Sequence, residues 1–290
     1  MPDALHTIEE TVTRDVTRAL EEDIGPGDLT ARLIPEHRTA TARLMTRQDG
    51  VLCGTEWFNR TFEELDPDVE IFWHHQDGDD VVAGSSLCEV EGMARSMLTA
   101  ERTSINFVQL LSGVATHTRQ FVNAVKGTRA KIVDTRKTLP GLRMAEKYAV
   151  RVGGGTNHRI GLFDGILIKE NHIVAAGSIR SAIEQASHDA DNSDGVFVQV
   201  EVESLDQLRE ALDAGATLIL LDNFDVAKMR EAVKIAGERA ELEASGGVSL
   251  KNVREIAETG VHRISIGSLT KDVRAMDLSM RFVHNHKENS

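Results

Sequence analysis

VFVQVEVESLDQLREALDAGATLILLDNF, residues 196–224, holds two short apolar runs with an amphipathic stretch between them. VFVQVEV and TLILLD are rich in β-branched and aliphatic residues, and SLDQLREALDAG reads as a helix closed by glycine. A strand, a helix and a second strand in succession imply two parallel strands joined by a right-handed crossover. The same rhythm runs outward from 130 to 270. KIVDT (131–135), GILIK (165–169), ELEAS (241–245) and RISIGS (263–268) are further short runs, and DVAKMREAVKIAG (225–237) and SLKNVREIAETG (249–260) are further helical stretches. Near-continuous apolar runs suit strands buried on both faces. Six such units are too few for an eightfold barrel of about 250 residues, so a smaller barrel or an open parallel sheet is expected.

Toward the N-terminus the pattern changes. Residues 5–22 read as a helix with Leu5, Ile8, Val12, Val16 and Leu20 on one face, stopped by Gly25-Pro26-Gly27. Residues 38–91 read as short strands, with turns at Asp49-Gly50, Asp77-Gly78 and Ala83-Gly84. Within them DGDDVVAGSSLCEVEG (77–92) resembles the second half of a biotinyl or lipoyl carrier domain. EGMARSML (91–98) offers no lysine where the prosthetic group would attach. That resemblance implies a small β-fold and not a carrier. Residues 96–126 read as a long helix with a break expected near Gly113; Leu98, Ile105, Val108, Leu111 and Ala115 share a stripe. The tail MDLSMRFVH (276–284) alternates again, as a strand returning to the first domain would.

Composition narrows the function. Hydrophobic residues make up 41% and charged residues 27% of the 290, as in a globular protein with a sizeable core. Lys and Arg number 33 against 46 Asp and Glu, a formal charge of −13. Such a surface repels nucleic acid and anionic membranes, so an anionic ligand must be drawn by a local cluster of cations. Cys53 and Cys88 form no CxxC pair and read as reduced, buried thiols. The first residues show no signal peptide, and no apolar run approaches the ~18 residues of a membrane span. A soluble cytoplasmic protein is expected.

In β/α barrels the active site lies at the C-terminal ends of the strands. KIVDT leads into Arg136 and Lys137, and GILIK ends on Lys169. VFVQVEV carries Glu201, TLILLD ends on Asp222, ELEAS on Ser245 before Gly246-Gly247, and RISIGS on Gly267-Ser268. Solvated loops explain one or two polar strand ends, but not cations on two strands and carboxylates on the next two. Arg136, Lys137, Arg159 and Lys169 suit a substrate bearing several carboxylates or phosphates. Any one of them alone reads equally as a surface ion pair. Glu201 and Asp222 can bind Mg²⁺, hold ribose hydroxyls or stabilise a cationic transition state, or else pair with the nearby cations. Ser245-Gly246-Gly247 and Gly267-Ser268 read as phosphate-binding N–H groups at helix starts, or as plain turn glycines. His158 can donate to an anion, shuttle a proton, or serve only its loop. Gly153-Gly154-Gly155 suits a tight turn and is no GxGxxG fingerprint.

Taken together, EDIGPGDLT, ERTSINFVQLLSG, DTRKTLPGLR, GGGTNHRIGLFDGILIKENH, VEVESL, LLDNF, EASGGV and ISIGSLT resemble the motifs of the quinolinate phosphoribosyltransferases. The resemblance covers almost the whole chain, and the DTRKT and NHR-to-KENH blocks are its most specific parts. It implies an α/β fold: an N-terminal α/β sandwich domain (1–114, rejoined by 272–290) and a small, six- or seven-stranded β/α barrel (115–271). It implies transfer of a phosphoribosyl group from 5-phosphoribosyl-1-pyrophosphate to quinolinate, with Mg²⁺ and no organic cofactor, yielding nicotinate mononucleotide, pyrophosphate and CO₂. By motif, Thr135, Arg136, His158, Arg159 and Lys169 belong to the substrate, and Lys137 to its junction with the phosphates. Glu201 and Asp222 face ribose and metal, and Ser245, Gly246, Gly247 and Gly267 hold the 5′-phosphate. Arg102 would reach the site of a neighbouring subunit, so a homodimer or larger homo-oligomer is expected. Two alternatives remain: a molybdenum-transport-associated paralogue with another substrate, and a Schiff-base aldolase using Lys169.

Overall fold

A computed structural model describes residues 7–193 and 195–283. Among the described residues two compact units emerge: one holds 7–117, Pro140–Gly153 and 273–283, and the other holds Thr118–Leu139 and Gly154–Asp272.

The first unit opens with α1 (Ile8–Ile24). The Thr7 hydroxyl accepts from the Glu10 N–H and the Glu10 carboxylate accepts from the Thr7 N–H, a reciprocal cap that starts the helix. Gly25, at φ 51°, ends it. Strands β1 (Thr39–Thr46), β2 (Gly50–Val51), β3 (Glu70–Trp73), β4 (Asp80–Val81) and β5 (Ser86–Met93) follow. The span 38–91 is not all strand, because α2 (Thr55–Leu65) interrupts it and buries Trp57, Phe58, Thr61 and Phe62 on one face. The main sheet is antiparallel in the order β12-β1-β5-β3, where β12 (Leu278–Phe282) is the returning tail, paired Leu44 to Met280 with β1. Its core gathers Leu44, Phe58, Phe62, Leu87, Val90, Met97, Ile105 and Met276.

Helix α3 (Ala94–Ala124) runs through Gly113 without a break. A Cβ at Gly113 would strike the carbonyl oxygen of Arg274. The glycine admits a passing backbone; it does not end the helix. Helix α4 (Arg143–Val152), which carries Arg143 and lies between barrel segments in sequence, groups with the first unit. There Tyr148 stacks at 5.4 Å from Trp57 and donates its hydroxyl to Asp77.

The second unit is a six-stranded parallel β/α barrel. Its strands are the six apolar runs: β6 (Lys131–Val133), β7 (Gly165–Ile168), β8 (Phe197–Val202), β9 (Leu218–Asp222), β10 (Glu241–Ser245) and β11 (Arg263–Ser265). They lie in the order β6-β11-β10-β9-β8-β7. At the seam, Val133 of β6 makes a single parallel bridge to Thr156, just before the NHR motif. Helices α5 (Glu170–Ala176), α6 (Ile179–Asp191), α7 (Leu205–Asp213), α8 (Val226–Ala236) and α9 (Val253–Ala257) connect the strands from β7 to β11, and α10 (Ser268–Lys271) follows the last. Ser204 and Asp225 cap α7 and α8 by accepting from Gln207 and Lys228 N–H groups.

The strands are less uniformly apolar than their reading as doubly buried runs implies. Val200, Val202, Ile219, Leu221, Leu242, Ala244 and Ile264 are buried on the face toward the helices. Their neighbours in the period-two alternation, Gln199, Glu201, Asp222, Glu243, Ser245 and Ser265, point into the barrel. Among the described residues no helix is long and apolar enough to cross a membrane, and Cys53 and Cys88 are buried, unbridged thiols.

Candidate active site

The alternation places one polar side chain per strand at the C-terminal mouth of the barrel, around a cavity of about 710 Å³. Thr135, Arg136, Lys137, His158, Arg159, Lys169, Glu201, Asp222, Ser245, Gly246, Gly247 and Gly267 all line it. Arg102 does not; it is exposed on α3 of the other unit.

Strand register sets the neighbours. Glu201 pairs with Leu220, Leu220 with Glu243, and Asp222 with Ser245. Residues i and i+2 of a strand share a face, so Glu201 and Asp222 stand close on adjacent strands. Lys169 closes this side: its ammonium donates to Glu201 at 2.6 Å, the lysine half exposed and the carboxylate nearly buried. A cation expected to serve one substrate and an acid expected to serve the other are therefore paired with each other.

The arginines belong to the seam between β6 and β7. Asp134, buried at the end of β6, accepts from the His158 N–H at 2.8 Å and from the Asn157 side chain at 2.6 Å. That fastens 156–159 along the seam. Asp164 accepts from the N–H groups of Ile160 and Gly161, rounding the loop, and the Arg159 guanidinium donates to the Gly165 carbonyl at 2.9 Å. Burial, and then the charge of Arg136, lower the Arg159 pKa, with Asp164 opposing. Two guanidiniums held against mutual repulsion in a half-buried wall form a site that an anion relieves.

The third wall is backbone. Gly246 (φ 99°) and Gly247 (φ 61°) adopt left-handed conformations after β10. A Cβ on Gly246 would strike the Asn223 side-chain oxygen. Asn223 is the one non-glycine residue with positive φ (53°) among those described, and its amide donates to the Asp222 carboxylate at 2.9 Å. Strain of this kind gathers at functional sites. A Cβ on Gly267 would come within 3.1 Å of the Lys137 side chain. The Lys137 N–H donates to the Thr135 hydroxyl, and its carbonyl accepts from Thr270. One expectation changes here. Gly246 and Gly247 do not begin a helix, since α9 starts at Val253; any N–H groups they offer come from a loop.

Several cavity residues were not singled out in the sequence. Asn223, Lys271 and Asp272 also line the cavity, and Glu243 lies deeper with Gln199 beside it, both fully buried. Gln199 donates to Glu243 at 3.2 Å and its carbonyl oxygen lies 2.8 Å from His158 Nε2. The available signal was the alternation V-Q-V-E-V itself.

No cluster of three or more potential metal ligands occurs among the described residues. Glu201 and Asp222 fit Mg²⁺ in another way, since that ion commonly takes one or two carboxylates and fills its shell with substrate phosphates and water.

Comparison with known proteins identifies the family. The family described as quinolinate phosphoribosyl transferase matches through its N-terminal domain over residues 28–112 and its C-terminal domain over 114–281. A probable nicotinate-nucleotide pyrophosphorylase [carboxylating] of Bacillus subtilis is 44% identical, with 89% of each chain covered. The nicotinate-nucleotide pyrophosphorylase [carboxylating] of Mycobacterium leprae is 42% identical over 95% of this chain and 99% of that one. The solved nicotinate-nucleotide pyrophosphorylase of Francisella tularensis superposes with a TM-score of 0.92 at 44% identity, covering 96% of this chain and 98% of that one. With both domains matched along nearly its whole length, the chain belongs to the quinolinate phosphoribosyltransferase family.

Proposed function

We propose that the protein transfers the phosphoribosyl group of 5-phosphoribosyl-1-pyrophosphate to quinolinate, yielding nicotinate mononucleotide, pyrophosphate and CO₂ for NAD biosynthesis. The observation that carries this reading is one cavity lined together by Arg136, Lys137, Arg159, Lys169, Glu201 and Asp222. Both substrates are polyanions and must lie together. The arginines bind the ring carboxylates and aim the pyridine nitrogen at the ribose anomeric carbon. The nitrogen lone pair forms the new C–N bond as the C–O bond to pyrophosphate breaks, and pyrophosphate leaves with that electron pair. Positive charge develops on the ribose, where Glu201 and Asp222 stabilise it. Glu201 and Asp222 would hold Mg²⁺, and the ion would supply charge neutralisation for the leaving group. The carboxylate next to the now cationic nitrogen departs as CO₂; its bonding electrons stay on the ring carbon, which takes up a proton. No lysine Schiff base is needed, and Lys169 is already committed to Glu201 at 2.6 Å.

Gly246, Gly247, Gly267, Ser245 and Lys137 serve the phosphates. We further propose a cytoplasmic homodimer in which Arg102 enters the partner's site. Incubation with quinolinate, phosphoribosyl pyrophosphate and Mg²⁺ should release CO₂ and form the mononucleotide in equal amounts. Turnover of nicotinate instead, or of neither pyridine, would defeat the assignment, and a covalent adduct on borohydride trapping would favour the aldolase.

A further inference from the structure

We infer that Gln199 and Glu243 lock His158 as the neutral Nε2–H tautomer, which makes His158 a positioning residue for Arg159 and not a proton donor to the substrate. The inference deepens the proposed reaction and rests on it for the role of Arg159 alone.

The chain of reasoning begins at Glu243, buried inside the barrel with Arg263 Nε 3.6 Å from its Oε2. A carboxylate only accepts, so the Gln199 amide must turn its nitrogen toward that same oxygen, 3.2 Å away. The Gln199 carbonyl oxygen then faces His158 Nε2 at 2.8 Å and requires a donor there. At the other side of the ring, Nδ1 lies 2.7 Å from the Arg159 backbone nitrogen, whose N–H has to find a lone pair. Only the Nε2–H tautomer meets both demands. An imidazolium would set Nδ1–H against the Arg159 N–H, and the Nδ1–H tautomer would fail at both ends.

The other groups around the ring fit this state. Its own backbone N–H goes to Asp134, the Phe197 ring stands edge-on at 5.6 Å, and Glu243 Oε1 is 3.7 Å from Nε2, beyond hydrogen-bond reach. Both ring nitrogens are thus spent on the protein. What His158 holds is the Arg159 backbone, and through it the start of a side chain whose far end is tied to the Gly165 carbonyl.

The test is a long-range ¹H–¹⁵N spectrum of the full-length protein labelled with ¹⁵N-histidine, the His158 signal being identified by its loss in His158→Gln. A neutral Nε2–H pattern that persists from pH 6 to 8, and is unchanged by added quinolinate, is expected. An imidazolium, an Nδ1–H ring, or a change of tautomer on binding would overturn the inference. Glu243→Gln lets the Gln199 amide turn over. It should mix the tautomers and raise the quinolinate KM about tenfold while kcat moves less than about threefold. The exchanged pair Gln199→Glu with Glu243→Gln restores an acceptor opposite Nε2 and should recover both the spectrum and KM. Equal loss of kcat in the single and exchanged variants, with the spectrum intact, would also overturn it. The pH series is recorded without substrate, so an inactive enzyme would sink the proposed reaction and leave the lock to be judged by its own signal.

Discussion

A single atom decides several positions in this barrel. Arg159 owes its lowered pKa to burial and to Arg136, so a bound dicarboxylate should relieve the pair. Arg136→Ala or Arg159→Ala should each weaken quinolinate binding by about 1.5–3 kcal/mol, the usual worth of a charged contact; unchanged calorimetric affinity in both would remove the assignment. Gly246→Ala puts a methyl group against the Asn223 side chain at a left-handed φ. It should displace the amide that steadies Asp222, and turnover should fall more than quinolinate affinity; wild-type kcat would show that Asn223 is dispensable. Asp15 gives a pH prediction. It is buried on α1, 3.6 Å from Arg14, and accepts from the Trp57 indole N–H. Burial raises its pKa despite the indole bond and Arg14. The folded protein therefore holds the proton more tightly than the unfolded chain, and stability is lost as pH rises from the unfolded value through the raised one. Asp15→Asn keeps an acceptor for Trp57 and removes the buried charge. Its urea midpoint should exceed that of the parent at pH 7, with the gain shrinking toward pH 4; a lower midpoint at pH 7 would contradict the sign.

Elements were legible where one period dominated. The six barrel strands and the returning β12 stand where their patterns predict, and so does α1 from Ile8 onward, Leu5 lying outside the described residues. Helix α2 was hidden because WFNRTFEEL sits among strands and its aromatics favour β-structure, although Trp57, Phe58, Thr61 and Phe62 already follow helical spacing. Helix α4 went unread because RMAEKYAVRV lies between motif blocks. The charged rim was visible as strand-end residues. Its buried support, Gln199 and Glu243, was masked by reading VFVQVEV and ELEAS as doubly buried strands, when the alternation marks a polar interior. Gly113 shows a local rule overruled by packing. In a helix interior Gly→Ala ordinarily gains about 1 kcal/mol. Here the new methyl meets a backbone carbonyl that cannot rotate away, and overpacking of this kind costs roughly 1–3 kcal/mol. Gly113→Ala should lower the melting temperature by several degrees, whereas a stabilised variant would show that the 274 backbone can yield.

At the scale of the molecule, a chain of formal charge −13 gathers Arg136, Lys137, Arg159, Lys169 and Lys271 around one cavity, so the polyanions are selected by place and not by the surface at large. If Arg102 completes the partner's site, Arg102→Ala and Arg136→Ala should each be nearly inactive alone. Co-expressed heterodimers should regain up to about half the wild-type activity, because one of the two shared sites then carries neither defect. No recovery in verified heterodimers of folded chains would return Arg102 to its own subunit. The pairing of β12 with β1 has a consequence in time. Met280 lies beside Leu44, yet the ribosome makes it only after the entire barrel. At 5–20 residues per second the nascent chain therefore carries the outer edge of β1 unpaired for on the order of ten to fifty seconds. Through that interval a row of bare amides and carbonyls is open to any extended strand nearby, so the growing chain depends long on protection at a strand synthesised early.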